Sequence, residues 1–189
     1  MAVLPIHVLG SPVLRHETVP VTTITHDLLR LADDMLDTMH AARGVGLAAR
    51  QVGRTERLTV VEVEGDRYVL FNPEIVLTEG EIKWEEGCLS IPEVYADVYR
   101  AARVVVRALD RDGKAFEVEG QQLLGVCLQH EIDHLHGRLF IDHLSFLKKR
   151  KAMATWEEEK VKYPDLLRII TPGAGVDGAD GDGHEMERS

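Results

Sequence analysis

The sequence predicts an α+β fold in which mostly antiparallel β-sheets pack around a central helix, with an N-terminal helix before it and a C-terminal helix after it. Three observations lead to this prediction. Helical periodicity of apolar residues is confined to two stretches, near residues 25–43 and 121–136, and a third helix is expected over about residues 145–161. The middle of the chain is a run of short stretches rich in Val and Tyr, separated by glycine-containing turns. Strands and helices do not alternate regularly, which argues against a parallel sheet.

The N-terminal helix is predicted from apolar residues at three- and four-residue steps, which together form one face of a helix. Thr25 is suited to cap its start, and Gly44 to follow its end. Residues 5–23 hold three prolines and are expected to form an extended, turn-rich lead-in. The apolar face consists of Leu28, Leu31, Ala32, Met35, Leu36 and Met39.

The strand-rich middle begins with a predicted hairpin of residues 58–64 and 67–71, which turns at Gly65-Asp66. A second hairpin is expected where Asp112-Gly113 leads into residues 115–118. Further strands are predicted over residues 75–77, 82–84 and 98–109.

The central helix is predicted over residues 121–136, where Gly137 is a natural stop. The C-terminal helix is expected over about residues 145–161. The apolar stripe of the central helix consists of Leu124, Leu128, Ile132 and Leu135, with Leu123 and Cys127 beside it.

Length and composition indicate one globular domain with a tail. The 189 residues are 44% hydrophobic and 29% charged, which fits a single domain over residues 1–170. Residues 171–189 carry −4 of the net charge of −10 and five of the 16 glycines. They are therefore predicted to form a disordered, acidic, Gly-rich tail.

Composition also excludes several classes of function. No apolar run approaches the roughly 20 residues that cross a bilayer, so no membrane partner is expected. The first ten residues do not resemble a signal peptide, and two cysteines do not make a disulfide framework, so the expected compartment is the cytoplasm. A net acidic chain is a poor general nucleic-acid binder, and no specific DNA partner is expected.

The strongest chemical signal is His130-Glu131-Ile132-Asp133-His134. Histidines four residues apart lie on one helical face, where both imidazoles can bind one divalent metal. Glu131 can then reach a water molecule without being a ligand. An exposed helix could carry this pattern by chance, but the apolar stripe indicates a core helix, where polar side chains are costly unless paired.

A catalytic site of this kind needs a third protein ligand. His136 and His143 follow the motif, but the first points elsewhere on the helix and the second lies beyond the helix stop. Cys88, in Glu86-Gly87-Cys88-Leu89-Ser90, is the other soft ligand, although a lone cysteine is commonly a small buried hydrophobe. Cys127 fits that ordinary interpretation better, because it lies on the apolar side of the helix.

A third motif is Gly44-Val45-Gly46-Leu47-Ala48-Ala49-Arg50-Gln51, whose small residues allow a close backbone approach. It lacks the Lys-Ser/Thr pair of a phosphate-binding loop, and a helix end followed by a tight loop is its simplest interpretation. The Gln51 amide could nevertheless donate a hydrogen bond into a site.

The three motifs, in this order and register, resemble those of peptide deformylases, and the likeness extends over about residues 3–160. Ser90-Ile91-Pro92 is similar to the bacterial type of the family. Two positions depart from common family members: Arg50, where Pro or Thr is frequent, and Tyr95, near a position where an Arg can contact the substrate. Both departures concern contacts at the rim.

The resemblance implies a catalytic metallohydrolase domain over residues 1–170 that removes the formyl group from the N-terminal formylmethionine of nascent polypeptides and releases formate. It implies Cys88, His130 and His134 as metal ligands and Glu131 as the group that transfers the proton. The side-chain amide of Gln51 and the backbone N–H of Leu89 would stabilise the oxyanion. The implied substrate-binding residues are Val45, Gly46, Glu86, Gly87, Leu123, Val126 and Cys127, while Glu86 and Asp133 could also support the ligands.

The implied metal is Fe²⁺, and the same ligands would accept Zn²⁺, Ni²⁺ or Co²⁺. The expected partners are N-formylmethionyl nascent peptides and, through the C-terminal helix and its run Lys148-Lys149-Arg150-Lys151, the ribosome. Two alternatives stay open: a metallopeptidase that cuts internal bonds, and an inactive metal-binding module associated with the ribosome.

Overall fold

The protein is described here by a computed structural model that covers residues 2–171. The predicted tail therefore lies outside the described residues from position 172 onward. The α+β class is confirmed, with antiparallel sheets and three α-helices in the described range. No helix between residues 2 and 171 is both long and apolar enough to cross a bilayer. The helices are α1 His26–Ala41, α2 Gln122–Leu135 and α3 Phe146–Glu159.

The strands form one five-stranded sheet and two smaller pairs, all antiparallel. The large sheet has the order β2-β3-β4-β7-β8, β5 pairs with β6, and the short β1 pairs with β9. The strands are β1 Ile6–His7, β2 Gly46–Ala48, β3 Leu58–Val63, β4 Asp66–Glu79, β5 Ile82–Cys88, β6 Ile91–Arg100, β7 Arg103–Leu109, β8 Ala115–Gln121 and β9 Leu167–Arg168.

Helix α1 begins and packs as its sequence predicts. The Thr25 hydroxyl accepts a hydrogen bond from the Leu28 backbone N–H, which stabilises the first turn of the helix. All six residues of the predicted apolar face are buried, and they pack against side chains of β2, β3 and β4. This packing supports the edge of the sheet where β2 lies.

The single strand predicted over residues 98–109 is wrong, because this segment divides between β6 and β7, which belong to different sheets. The Gln129 side chain bonds both the N–H and the C=O of Ala101, each at 3.0 Å, so the backbone between the strands pairs with helix α2. Arg100, the last residue of β6, directs its side chain into the interior. Periodicity cannot reveal this, because apolar residues occur on both sides of the break.

Two other segments are more regular than predicted. Residues 67–71 and 75–77 are parts of one strand, β4, whose irregular register surrounds Asn72 at a φ of 51°. The Asn72 side chain bonds both backbone groups of Val21 and so ties the lead-in to the sheet. The motif around Gly46 is also not a simple loop, because β2 joins the large sheet and a 3₁₀ helix, Ala49–Val52, follows it.

Helix α2 is buried along most of its length, and 11 of its 14 residues are buried. Leu128 and Ile132 pack with Val61, Val104 and Val106 of the large sheet. The same burial encloses the polar residues of its second half, so their hydrogen-bonding needs must be met inside the protein.

Candidate metal centre and active-site cleft

Cys88, His130 and His134 meet at the end of strand β5. The Cys88 Sγ atom lies 3.3 Å from His134 Nε2, and the two Nε2 atoms of His130 and His134 are 3.2 Å apart. All three ligand atoms lie within 4.8 Å of one another. One thiol and two imidazoles that converge in this way fit a transition-metal ion such as Zn²⁺ or Fe²⁺.

Local structure explains this convergence. His130 and His134 are one helical turn apart on α2, so their rings point to the same side. Cys88 ends β5 where the register with β6 is interrupted, between Glu86 and Cys88. This irregularity in the strand pair turns the Cys88 side chain toward helix α2.

Glu86 orients the first histidine. Its Oε2 atom lies 2.7 Å from His130 Nδ1, so the Nδ1–H is donated to the carboxylate and Nε2 keeps its lone pair for a metal. Burial alone would raise the pKa of Glu86, but its hydrogen bonds with His130 and Arg100 outweigh this effect and lower the pKa. Glu86 therefore stays ionised inside the protein.

Arg100 joins two buried carboxylates beside the candidate ligands. It donates to Glu86 at 2.6 and 3.1 Å and to Asp133 Oδ2 at 2.6 Å. Asp133 also accepts from His143 at 2.7 Å. Burial raises the pKa of Asp133, but its bonds with His143 and Arg100 outweigh burial and lower the pKa to about 2.

The sequence analysis missed Arg100 and considered His143 only as a ligand. Glu86 contacts His130 and Asp133 contacts Arg100, and a supporting role of both acids toward metal ligands stays a prediction. No local pattern distinguishes Arg100 from the exposed arginines of the neighbouring strands. The sequence contains one indirect indication of such a cation. Two acids lie within the motifs that carry the candidate ligands, and acids that are buried there need a positively charged partner.

The second histidine lies deepest. His134 is 1% exposed, and burial, together with the neighbouring His130, lowers its pKa well below the usual range. Its Nδ1 atom has no hydrogen-bond partner within the described part of the chain. The imidazole is therefore neutral, which is the form that binds metals.

Glu131 points into the cleft from the same helix. It is 4% exposed, and its Oε2 atom has no partner among residues 2–171. Burial raises the pKa of Glu131 to about 7. A Cβ atom at Gly46 would lie 2.5 Å from Glu131 Oε1, so only glycine leaves room for the carboxylate.

Gln51 is held at both ends of its amide. Its Oε1 atom accepts the Ala48 backbone N–H at 2.9 Å, and its Nε2 atom lies 3.1 Å from Ser90 Oγ and 3.7 Å from Cys88 Sγ. Because Ala48 N–H can only donate, the amide oxygen is identified without ambiguity, and the NH₂ group faces Cys88.

A cleft of about 600 Å³ opens over this cluster. It contains the other predicted site residues, together with Cys88 and His130, whereas His134 lies behind its wall. Cys127 contacts the Val45 carbonyl oxygen at 3.6 Å, and burial raises the pKa of its thiol well above the usual value, so it remains protonated. The predicted residues in the cleft wall are Val45, Gly46, Gln51, Glu86, Gly87, Leu89, Leu123, Val126, Cys127 and Glu131.

The structure also shows where the remaining residues lie, both those that the sequence left as alternatives and those that it did not indicate. His136 contacts Glu17 at the surface, 3.1 Å away, so it takes no part in the cluster. Arg50 is buried and donates to the His16 and Glu17 carbonyl oxygens, so it supports the lead-in and not the rim. The cleft wall also holds Tyr95 and three residues that motif reasoning did not select, namely Arg43, Trp84 and Arg168.

Comparison with known proteins identifies the family. The family model described as polypeptide deformylase matches residues 3–150. The chain belongs to the peptide deformylase family. It is 52% identical over 155 residues to the peptide deformylase of Alkalilimnicola ehrlichii, with 80% of this chain and 87% of the relative covered. The peptide deformylase of Hydrogenovibrio crunogenus is 51% identical over 149 residues, which cover 77% and 88% of the two chains.

Solved peptide deformylase structures have the same fold. The crystal structure from Legionella pneumophila superposes with a TM-score of 0.82 at 48% identity, covering 85% of this chain and 97% of that one. The structure from Synechococcus elongatus in complex with actinonin gives 0.78 at 40% identity, covering 82% and 86%. The family predicted from the three motifs is confirmed.

Proposed function

We propose that the cleft between β2, β5 and α2 is the active site in which this peptide deformylase hydrolyses the formyl group of nascent chains. The chain is an enzyme that removes the N-formyl group from nascent polypeptides, as its family and its close relatives show. The observation that carries the assignment of the site is the convergence of Cys88, His130 and His134 beside Glu131. We infer that α2, which presents three of these residues, is the central helix of the fold.

The proposed metal ligands are Cys88, His130 and His134. A divalent ion held by them would supply a Lewis acid that lowers the pKa of water to a value near neutrality. Glu86 supports this site because it fixes the His130 ring, and Arg100 in turn holds Glu86. Such supporting bonds commonly contribute 10-fold to 100-fold to metal affinity.

Glu131 is the proposed general base and acid. Its raised pKa, about 7, suits a group that accepts a proton from water at neutral pH and then gives it to the leaving amine. It can do so because no other side chain in the described structure occupies its Oε2 atom. Gly46 keeps the carboxylate at the floor of the cleft.

Gln51 and the backbone N–H of Leu89 are the proposed oxyanion donors. The Gln51 NH₂ group lies on the Cys88 side of its amide, and Leu89 follows the cysteine directly. Donors fixed before the reaction stabilise the negative charge that develops on the formyl oxygen, and each such donor contributes about 10²–10³-fold to turnover.

The methionine side chain and the peptide backbone have separate places in this proposal. Leu123, Val126 and Cys127 offer an apolar wall for the methionine side chain. Gly46 begins edge strand β2 and Val45 precedes it, so an extended peptide can pair with the backbone there. Glu86 and Gly87 bound the other side of the cleft.

The proposed native ion is Fe²⁺, with Zn²⁺, Ni²⁺ and Co²⁺ as substitutes that the same thiol and imidazole ligands accept. Formylated chains leave the ribosome in the cytoplasm, which is the proposed compartment. A ribosomal contact through α3 is supported by its run of four cations, Lys148–Lys151, beside the exposed Phe146 and Leu147. No specific DNA partner is proposed. Residues 1–170 form the proposed catalytic domain, and 171–189 its tail.

The test is formate release from formyl-Met-Ala-Ser by protein loaded anaerobically with Fe²⁺, compared with chelator-treated protein. We expect turnover only in the loaded sample and no cleavage of internal bonds in an unformylated peptide. Internal cleavage would favour the metallopeptidase alternative, and stoichiometric metal without formate would favour the inactive ribosome-associated module.

A further inference from the structure

We propose that Ser90 is a positioning residue that aims the Gln51 amide at the reacting formyl group. The inference rests on the proposed function, because it takes Gln51 as an oxyanion donor. Ser90 is fully buried, and Gln51 is 1% exposed, so the bond between them is sheltered from water. The Ser90 Oγ atom lies 3.1 Å from Gln51 Nε2.

The two ends of the Gln51 amide are held by different groups. The Ala48 N–H donates to Gln51 Oε1 at 2.9 Å and anchors the oxygen. One anchor still allows the amide plane to turn, because the terminal torsion of a glutamine has a broad energy well. The Ser90 hydroxyl supplies the second anchor, and two anchors on opposite ends of a planar group define its orientation.

The two hydrogens of the Gln51 NH₂ group have different partners. The Gln51 NH₂ group has two hydrogens, and the Ser90 oxygen accepts one of them. The Nε2 atom also lies 3.7 Å from Cys88 Sγ, so the remaining N–H is directed toward the proposed metal ligands. Ser90 therefore determines which of the two N–H groups is available to the substrate.

The backbone of Ser90 is itself fixed, which a positioning residue requires. Its carbonyl oxygen accepts the Leu9 backbone N–H at 2.8 Å, and it lies in the tight connection between β5 and β6. A hydroxyl on so firmly held a backbone can hold the amide within the few tenths of an ångström that catalysis demands.

The experiment is a double-mutant cycle on kcat and KM for formyl-Met-Ala-Ser, with Ser90→Ala, Gln51→Ala and the double variant. We expect Ser90→Ala to lower kcat by about 10-fold to 100-fold, since misplacing a reacting group by about 1 Å costs up to 10²-fold. KM should change by less than about 2-fold, because the substrate does not touch Ser90. In the Gln51→Ala background, Ser90→Ala should change kcat by less than about 2-fold.

A purely structural role for Ser90 makes a different prediction. The two effects would then multiply in the double variant, and that result would overturn the proposal, as would an unchanged kcat in Ser90→Ala. In either case a low kcat in Gln51→Ala would leave the proposed function standing. Full activity in Gln51→Ala would refute both the oxyanion role and the positioning role, whereas a wild-type protein that releases no formate would refute the proposed function itself.

Two controls separate positioning from folding. Ser11 is also a buried serine, bonded to His7 Nδ1 at 2.9 Å outside the cleft wall, and Ser11→Ala should lower the melting temperature without changing kcat. If Ser90→Ala does not fold, Ser90→Thr and Ser90→Val replace it. The side chains of threonine and valine have the same shape, but only threonine has a hydroxyl group. The Val variant should then have a kcat at least about 10-fold below that of the Thr variant, and equal values would contradict the proposal.

Discussion

Single residues of the cleft have separable tasks, and Glu131 shows this most simply. It is not a ligand in the proposed site, yet it lies beside His130 with one carboxylate oxygen directed into the cleft. Glu131→Gln keeps the size of the side chain and removes its ability to accept a proton. We expect turnover to fall by about 10²–10⁴-fold while the metal content stays stoichiometric.

Turnover and metal content in Glu131→Gln should be measured on the same preparation. Loss of the metal would mean that Glu131 is a ligand or supports one. Turnover near that of the wild type would assign the proton transfer to another group.

The two cysteines provide a matched pair of substitutions at the same scale. The Cys88 Sγ atom points at the histidines, whereas Cys127 is a buried thiol that packs with the core residues of α2 and also borders the cleft. Cys88→Ala should empty the site. Cys127→Ala should retain the metal and lower the free energy of unfolding by about 1–2 kcal/mol.

Metal analysis after dialysis, together with urea unfolding, checks both cysteine variants. The ligand assignment would be reversed if Cys127→Ala lost the metal and Cys88→Ala kept it.

At the scale of elements, strand β6 and helix α2 are joined by Arg100. Its guanidinium is 4% exposed and neutralises Glu86 and Asp133, which are also buried. Arg100→Met would leave Glu86 without its arginine and Asp133 with only the exposed Arg138 as an arginine partner, 3.5 Å away, and breaking a buried pair in this way costs about 3–5 kcal/mol. We also expect the metal to dissociate about 10-fold to 100-fold more readily, because Glu86 would no longer hold His130 firmly.

Arg103 is the matched control for Arg100. It begins the next strand and pairs with Glu79 and Glu119 at the surface, where such pairs contribute about 1 kcal/mol or less. Arg103→Met should therefore change stability little and leave metal retention unchanged. Equal unfolding free energies for the two variants would contradict the role of Arg100.

Comparison of these elements shows what the sequence could predict. The three helices were predicted nearly to their ends, the first two because each has its own apolar periodicity, and Thr25 caps the first as expected. The two motifs that carry the candidate ligands Cys88, His130 and His134 were found because their residue types have few other uses in a core. Local pattern could not show that residues 98–109 cross from one sheet to another, since that depends on the distant Gln129.

The supporting residues of the site were harder to predict for the same reason. Arg100 and Ser90 contact residues 33 and 39 positions away in the chain, Asp133 and Gln51 respectively. Such contacts leave no spacing that a motif could capture. They become visible only when burial and hydrogen-bond partners are known.

At the scale of the whole molecule, we expect the catalytic domain to be independent of its tail. The family model ends at residue 150, and 171–189 contain few apolar residues that could be buried. Truncation after Ile170 should change the free energy of unfolding by no more than about 0.5 kcal/mol. A large fall in melting temperature, or in turnover of a short formylated peptide, would show that the tail belongs to the domain.

Selectivity for the acyl group concerns the complete cleft. Gln51 and the Leu89 N–H can stabilise an oxyanion only if the carbonyl oxygen lies about 3 Å from both. An acetyl methyl would push that oxygen outward and so harm the transition state more than the ground state. A simple difference in pocket filling discriminates by roughly 10–200-fold, and a misplacement of about 1 Å adds up to 10²-fold.

The most direct measurement is therefore kcat/KM for formyl-Met-Ala-Ser and for acetyl-Met-Ala-Ser, taken on the same metal-loaded enzyme. Formate and acetate release should be followed in parallel, with chelator-treated protein as the blank. We predict a ratio of at least about 10³ in favour of the formyl peptide. Comparable rates on the two peptides would contradict the account, because they would mean that the cleft is open at its acyl end.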